Sequence, residues 1–372
     1  AGAATAMLLA QRGLRVLAID KAALGSDTLS THALMRGAVQ QLDRWGLLGA
    51  VRQAGTPAIR HTTFRYGDRD VTVDIEPRGG VDALYAPRRT VLDPIMVRGA
   101  LDAGVDVRHN TRLVELLRSV DGTVRGARIE CGGLKHDIQA GLVVGADGLH
   151  ASVARMVDAP VTHAGVATSG AMFKYVADTG LRTDRYLWLN QPGLLGGVIP
   201  TTGETVGVFV NMPASRFRGE ARHDVEASYS RLLAELAPDV AEGVARGRQV
   251  GPTRSWPGHE GQFRRAHGAG WALVGDAGYF KDPGAAHGIS DAFRDAELLA
   301  DAVVEGDLSA YEDRRNELSM PLFGVLEELA GFAWTLDSLP DIHLRLSKAM
   351  SAEQKILRSH WHAHDGDRAR AA

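Results

Sequence analysis

Cysteine is almost absent from this chain. Cys131 is the only one, which excludes an internal disulfide and suits a reducing cytoplasm. Followed by two glycines at a strand-like end, Cys131 reads as a packing or turn residue. Long hydrophobic runs are missing too: no stretch approaches the roughly 18 apolar residues of a membrane span. No signal peptide is visible in the residues given, although a leader ahead of residue 1 stays open. A net charge of −3 leaves no basic footprint for nucleic acid or an anionic membrane surface. Internal repeats and low-complexity segments are absent as well. What remains is 372 residues with 45% hydrophobic content, enough for two domains sharing one large interface.

The most informative block is residues 271–300, Trp-Ala-Leu-Val-Gly-Asp-Ala-Gly-Tyr-Phe-Lys-Asp-Pro-Gly-Ala-Ala-His-Gly-Ile-Ser-Asp-Ala-Phe-Arg-Asp-Ala-Glu-Leu-Leu-Ala. Residues 272–274 read as a buried strand that stops at Gly275-Asp276. An acidic residue at the C-terminal end of such a strand faces the crevice where open α/β sheets bind ligands, and it can accept from sugar-type hydroxyls. Pro283 and a small-residue loop follow, then a helical pattern without a breaker from about residue 286. Small residues let backbone approach a flat ligand, and a helix start offers free N–H groups to negative charge.

Two further segments carry the same kind of signal. Residues 1–20 read as a small-residue helix, a turn at Gly13, a strand over 15–19 and a terminal carboxylate at Asp20, followed by Lys21. That is the back half of a dinucleotide-binding βαβ unit, whose acidic residue holds ribose hydroxyls. Residues 142–155 form a strand that runs into a turn and helix through Val-Gly-Ala-Asp147-Gly148.

Together, in this order and about 125 residues apart, the three segments resemble the flavin-dependent aromatic hydroxylases and their relatives, the geranylgeranyl reductases and flavin halogenases. The resemblance spans roughly residues 1–315. It implies an α/β fold with a Rossmann-type FAD-binding domain of the glutathione-reductase kind, an inserted antiparallel-sheet substrate domain and C-terminal helices. Gly2 matches the last glycine of the GxGxxG fingerprint; the first strand and first two glycines are expected ahead of residue 1. Asp147-Gly148 and Gly275-Asp276 match the family's later FAD motifs. Arg36, at the start of a helical pattern over 35–45, resembles an arginine that contacts the FAD diphosphate, where a guanidinium fork suits paired oxygens. A surface arginine opening a helix reads the same way. Arg89 resembles the arginine that precedes a helix beside the flavin, with Arg88 blurring the register. Leu113 is placed where a strand's backbone meets adenine, though a core leucine looks identical.

The flavin loop departs from the hydroxylase pattern. Gly-Asp-Ala-Gly-Tyr279 stands where Gly-Asp-Ala-Ala-His is common, and Ala285, Ala286 and His287 replace a glycine pair and a glutamine. Pro283 and Gly288 are kept, so Pro283 and the Gly288-Ile289 amides are expected beside the isoalloxazine, where a helix start favours the anionic reduced flavin. Tyr279, Lys281, Pro283 and His287 are the candidate catalytic residues; solvated loop positions for Lys281 and His287 are the alternative. No catalytic base is identifiable.

Periodicity predicts a hairpin over 61–75 around Gly67-Asp68, a helix over 91–103 and antiparallel strands over 170–176, 186–189, 194–199 and 205–210. A helix over 223–236 closes that section. The expected division is 1–57, 88–157 and 256–312 for FAD, 58–87 and 158–255 for substrate, and 313–372 for helices and a frayed tail from His364. Phe173, Tyr175, Tyr186 and Trp188 are candidate pocket residues, and a strand core uses the same types. Leu322, Phe323, Val325, Leu326, Leu329, Phe332 and Trp334 form a stripe that suits core, a lid or a dimer face. Ser30-Thr-His32 forms no nucleophile constellation, and the histidines of 360–364 do not make a convincing metal site.

The expected activity is that of a cytoplasmic FAD-dependent oxidoreductase, with NAD(P)H as external reductant and no separate nicotinamide domain. The favoured form is a monooxygenase acting on a small aromatic or polyketide-like molecule and O2 through a flavin C4a-hydroperoxide in a dry pocket. An alkene reductase of the geranylgeranyl type is the first rival, and a non-catalytic flavin-binding redox sensor the second. A halogenase fits less well, because Trp-x-Trp-x-Ile-Pro is missing and only Val198-Ile-Pro200 echoes it.

Overall fold

Small residues open the fold. Ala4 and Ala6, with Met7, Leu8 and Leu9, bury most of helix α1 (Gly2–Gln11), and Gly13 at φ 86° turns the chain into strand β1 (Leu17–Ile19). The structure, a computed structural model, describes the backbone of residues 1–28, 30, 32–221 and 223–371, and side chains of these as far as Trp361. Helices α2 (Arg36–Arg44) and α3 (Leu48–Gln53) follow, then the hairpin β2 (His61–Tyr66) and β3 (Arg69–Asp74). Helix α4 (Arg89–Asp102) leads to β4 (Asp106–Arg108), which pairs in parallel with β1. Strands β5 (Thr111–Arg118), β6 (Val124–Cys131) and β7 (Leu134–Gln139) form an antiparallel sheet of three. Strand β8 (Val143–Gly145), helix α5 (Ser152–Met156) and strand β9 (Val161–Ala164) complete this half.

The second half begins with β10 (Ser169–Ala177), β11 (Arg185–Gln191), β12 (Leu194–Thr201) and β13 (Thr205–Pro213). Helices α6 (Ala214–Glu220), α7 (Val225–Leu236) and α8 (Pro238–Arg246) come next, then β14 (Arg248–Trp256). Strands β15 (Gln262–Arg264), β16 (His267–Gly268), β17 (Trp271–Leu273) and β18 (Tyr279–Phe280) precede three helices, α9 (Gly288–Glu305), α10 (Leu308–Ala330) and α11 (Leu339–Ala371). The architecture is mixed α/β. Among the described residues, no helix is long and apolar enough to cross a membrane.

The large sheet has the order β14-β10-β13-β12-β11-β2-β3. Sequence led us to expect an antiparallel sheet, but β2 arrives from the early chain by a long crossover and pairs in parallel with β11, Thr62 opposite Tyr186 and Phe64 opposite Trp188. Strict alternation also fails, since all eight residues of β12 are buried. One face packs Leu194, Val198, Val208 and Val210 against Tyr229, Leu232, Leu233 and Leu236 of α7. The other face packs Phe173, Tyr175, Tyr186, Ile199 and Phe209 into the core that holds Leu34 and Tyr85. Burial on both faces explains why these strands read as near-continuous apolar runs.

The helical stripe is core. Leu322, Leu326, Leu329 and Trp334 bury against Tyr66, Leu195 and Ala285, with Val325 and Phe332 half-buried beside them, while Phe323 packs on Phe263 and Tyr279. Helix α11 runs to Ala371, and the tail expected to fray from His364 lies outside the described side chains.

Strands β8 and β17 pair in parallel, Gly145 opposite Leu273. A Cβ on Gly145 would lie 2.7 Å from Val153 Cβ and 2.8 Å from Leu273 Cδ2, so Gly145 is what lets α5 close on these strands. Gly145→Ala is expected to destabilise the fold by about 1–3 kcal/mol through overpacking. Denaturant unfolding of both proteins measures it; an unchanged midpoint would show that α5 can move aside.

Candidate active site

Two strand ends meet to form the site. After β8, Asp147 and Gly148 (φ 62°) enter a tight helical turn, Gly148–His150. After β17, Gly275 (φ 61°) and Asp276 enter another, Gly275–Ala277, and the two turns pack on each other. The start of α1 closes the third side. A Cβ on Gly2 would sit 3.3 Å from Ala146 Cβ, and one on Gly275 only 2.9 Å from Ala1 Cβ. The three segments singled out from sequence therefore converge on one cradle of backbone, held open by residues without side chains. Asp147 Oδ2 accepts from the Ser152 amide, while its buried Oδ1 has no donor among the described residues. An unsatisfied buried carboxylate oxygen beside a glycine cradle suits the hydroxyls and phosphates of a dinucleotide, so the residues fit FAD.

Asp20 ends β1 and accepts from the Ala22 amide at 2.8 Å, with Lys21 exposed beside it. Its carbonyl accepts from Thr111 N at 2.9 Å, which brings β5 and Leu113 to the same end. The Leu113 side chain packs against the core around Val124, Val153 and Trp271, and its backbone pairs with Ile129.

The arginines part company. Burial pushes the Asp276 carboxyl up, against the pull of nearby Lys281 and Arg89. Arg89 therefore stands on the cradle side, paired to Asp93 at 2.7 Å. Arg88 turns to the large sheet, bonding Asp27 at 2.9 Å and lying 3.9 Å over the Tyr175 ring. Arg36 does not join them. Its guanidinium donates to Val81 O at 3.0 Å and Glu76 O at 2.7 Å, so these loop carbonyls occupy the fork expected to hold diphosphate.

Most side chains of the loop from Tyr279 to His287 are buried, while Gly288 is exposed. Lys281 is 6% exposed and His287 3%, which removes the solvated reading. Lys281 pairs with Asp291, and burial lowers its ammonium to about 7. Tyr279 is also buried, its ring 4.5 Å from that of Phe263, within the core rather than open to the cradle. Pro283 opens the tight turn Pro283–Ala285, capped by Asp282, whose Oδ1 accepts from Gly284 N at 3.0 Å. Asp282 Oδ2 accepts from Ser169 N at 2.9 Å and Oγ at 2.8 Å, tying the loop to the large sheet; burial raises this carboxyl to about 6. Helix α9 begins at Gly288, where a Cβ would meet nothing within 4 Å, and Ile289 is half-buried beside it.

A second polar group lies on the sheet face. His32 (φ 62°) stacks on Tyr175 with ring centroids 5.3 Å apart, and its Nε2 contacts the Tyr175 hydroxyl. Its Nδ1 has no partner among the described residues. Burial, then Arg89 and Arg88, lower the imidazole to about 3. Phe173, Trp188 and Phe209 supply the apolar surroundings. Thr31 of the Ser30-Thr-His32 run lies outside the described residues. His360 bonds Asp301 at 2.8 Å, and the other histidines of 360–364 fall outside the described side chains.

Sequence reasoning missed Asp282, Asp291, Arg294 and Glu353. The spacing of His287, Asp291 and Asp295, four residues apart, could have placed them on one helix face. Glu353 comes from α11 and carries no such signal.

Comparison with known families settles the cofactor. The FAD binding domain family matches residues 1–316. The chain belongs to that family. Among curated relatives, 2,4-dichlorophenol 6-monooxygenase of Delftia acidovorans is 29% identical over 216 residues, covering 52% of this chain and 36% of the relative. The chain thus matches about a third of that enzyme's length. Digeranylgeranylglycerophospholipid reductase of Methanothrix thermoacetophila is 26% identical over 85% of this chain and 80% of its own. The flavin-dependent brominase Bmp2 has the same fold, with a TM-score of 0.77 at 19% identity, covering 98% of this chain and 96% of that one. A geranylgeranyl bacteriochlorophyll reductase-like protein from Thermoplasma acidophilum gives 0.73 at 19% identity, over 93% and 88%. This member of the FAD-binding family is an FAD-dependent oxidoreductase.

His32 gives the family member a predictable acid weakness. Unfolded, its imidazole takes a proton below about 6.5; folded, it resists until about 3. Its stabilising share is therefore complete above the unfolded value and is lost as pH falls through that window. His32→Asn, which tolerates the left-handed backbone, is expected to flatten the fall in unfolding free energy from pH 6.5 downward. An unchanged slope would place the acid-sensitive group elsewhere.

Proposed function

We propose that this flavoprotein is a monooxygenase that draws reducing equivalents from NAD(P)H and hydroxylates or epoxidises a small aromatic or polyketide-like substrate, with O2 as co-substrate. Bound FAD supplies two-electron redox chemistry and oxygen activation. In this reading 1–57, 88–157 and 256–312 form a Rossmann-type FAD unit, and 58–87 with 158–255 form the substrate unit. Gly2, Asp147, Gly148, Gly275 and Asp276 line the phosphate and sugar path, with Arg89 as the cation beside it. Asp20, Lys21 and Leu113 lie at the adenosine end. Pro283, Gly288 and Ile289 meet the ring, where the start of α9 holds negative charge.

One observation carries the monooxygenase reading: a polar pair, His32 and Tyr175, set in an aromatic wall and backed by Arg88. A phenolic substrate needs a hydrogen-bond partner and a cation to hold developing phenolate charge. The Tyr175 oxygen can accept the substrate's hydroxyl hydrogen while its own O–H donates to His32, which burial keeps neutral. Arg88 and Arg254, both on Asp27, keep the neighbourhood cationic. The apolar walls exclude water from the reacting centre.

Alkene reduction is the second reading. It is favoured by the reductase match, which runs along 85% of this chain, and in it Tyr175 would deliver the proton that completes hydride addition.

The deciding experiment reduces the FAD-loaded protein anaerobically, mixes it with O2 in the presence of a panel of phenols, and analyses products by mass. A product heavier by one oxygen is expected, with Tyr175→Phe slowing turnover by about 10²–10⁴-fold while FAD affinity is retained. Direct return to oxidised flavin with every phenol, together with reduction of isoprenoid alkenes, would overturn the proposal in favour of the reductase.

A further inference from the structure

Six polar side chains are sealed below the flavin loop, and their proton count does not close. Lys281, His287, Asp291, Arg294, Asp295 and Glu353 are each 6% exposed or less. Asp291 Oδ1 accepts from Arg294 Nη1 at 3.0 Å and from His287 Nδ1 at 3.1 Å, and its Oδ2 pairs with Lys281. Asp295 Oδ1 accepts from Arg294 Nε at 3.0 Å and Nη2 at 2.7 Å, and the same Nη2 donates to Ser319 of α10 at 2.8 Å. Glu353, from α11, accepts from Arg294 Nη1 at 2.8 Å through Oε1. Its Oε2 has no donor among the described residues and lies 3.6 Å from His287 Nε2. The rings of Tyr279 and, farther off, the Asp276 carboxyl complete the charged surroundings of Lys281.

Three carboxylates here face Arg294 and Lys281, the latter already lowered to about 7 by burial, so the cluster is short of at least one positive charge. The place for it follows from donor rules. Asp291 is an acceptor, so His287 Nδ1 must carry its hydrogen; in a neutral ring Nε2 is then also an acceptor. At 3.6 Å, longer than a direct hydrogen bond, Nε2 faces Glu353 Oε2 acceptor against acceptor, unless one of the two carries a proton and the pair closes. A divalent ion on His287, Asp291 and Glu353, whose ligand atoms lie within 4.8 Å of one another, would have to share both carboxylates with Lys281 and Arg294. A proton needs no such room.

We propose that Glu353 is a positioning residue for the flavin loop, holding His287 through one shared proton and Arg294 through an ion pair. His287 occupies the N-cap position of α9 and its ring bonds Asp291 one turn in, so holding the ring holds the backbone from which the Gly288-Ile289 amides start. This rests on the flavin placement proposed above. Glu353 lies beyond residues 1–316, the span the family model matches, on the C-terminal helix α11. Burial and the two cations hold His287 well below the ordinary imidazole range, in keeping with a ring that is not a free imidazolium.

The test compares Glu353→Gln with Glu353→Leu. Glutamine can accept from Arg294 and donate an N–H to His287 Nε2; leucine can do neither. FAD affinity is read by flavin fluorescence, folding by thermal unfolding. The His287 nitrogens are read by NMR of ¹⁵N-histidine protein without FAD, assigned by signal loss in His287→Gln. Glu353→Leu is expected to weaken FAD by about tenfold or more, as a buried acceptor loses its partner, and to shift Nε2 to a free-acceptor position. Glu353→Gln is expected to stay within about threefold of the original affinity and to keep Nε2 hydrogen-bonded. An Nε2 signal indifferent to Glu353→Leu, or a Gln variant as impaired as Leu, would overturn the proposal, as would one bound divalent metal per chain by elemental analysis. Failure of the unsubstituted protein to bind FAD would instead overturn the flavin placement, and the NMR arm would still decide the shared proton.

Discussion

The guanidinium of Arg294 is the interaction around which the active-site half is built. With no exposed surface, it bonds Asp291 and Asp295 on its own helix, Ser319 on α10 and Glu353 on α11. Removing one partner from a buried ion network typically costs 3–5 kcal/mol, because the others keep their desolvation penalty without compensation. Three helices and the loop before α9 are thereby forced into one relative arrangement. The sequence of effects runs from this network to the start of α9, and from there to the surface proposed to meet the flavin ring.

A second constraint is spatial. Gly2, Gly145 and Gly275 allow α1, β8 and β17 to approach until their ends touch, and each position resists even a methyl group. In the proposed placement, backbone rather than side chain does the binding in this cradle. A fold neighbour at 19% identity shares this fold over nearly its whole length.

The parts legible in the sequence were those written in local spacing. Gly275-Asp276, Asp147-Gly148 and the helix after Gly2 each announce a strand end or helix start within ten residues, and all three arrive at the same place. The hairpin around Gly67 was legible for the same reason. What stayed hidden depended on distant partners. The fork of Arg36 was decided by the carbonyls of Glu76 and Val81, the burial of Lys281 and His287 by a helix beginning some fifty residues later, and the parallel pairing of β2 by a crossover of more than a hundred residues. His32 was invisible as a chemical group because only folding brings Tyr175 to it.

The hairpin strand β3 closes one side of the large sheet with all six of its residues exposed, among them Arg69, Asp70 and Asp74. A strand of another molecule docking along it would have to strip water from both signs of charge at once. The large sheet thus ends in a margin where charge flanks the exposed Val71 and Val73, and any strand that extends it carries that desolvation cost.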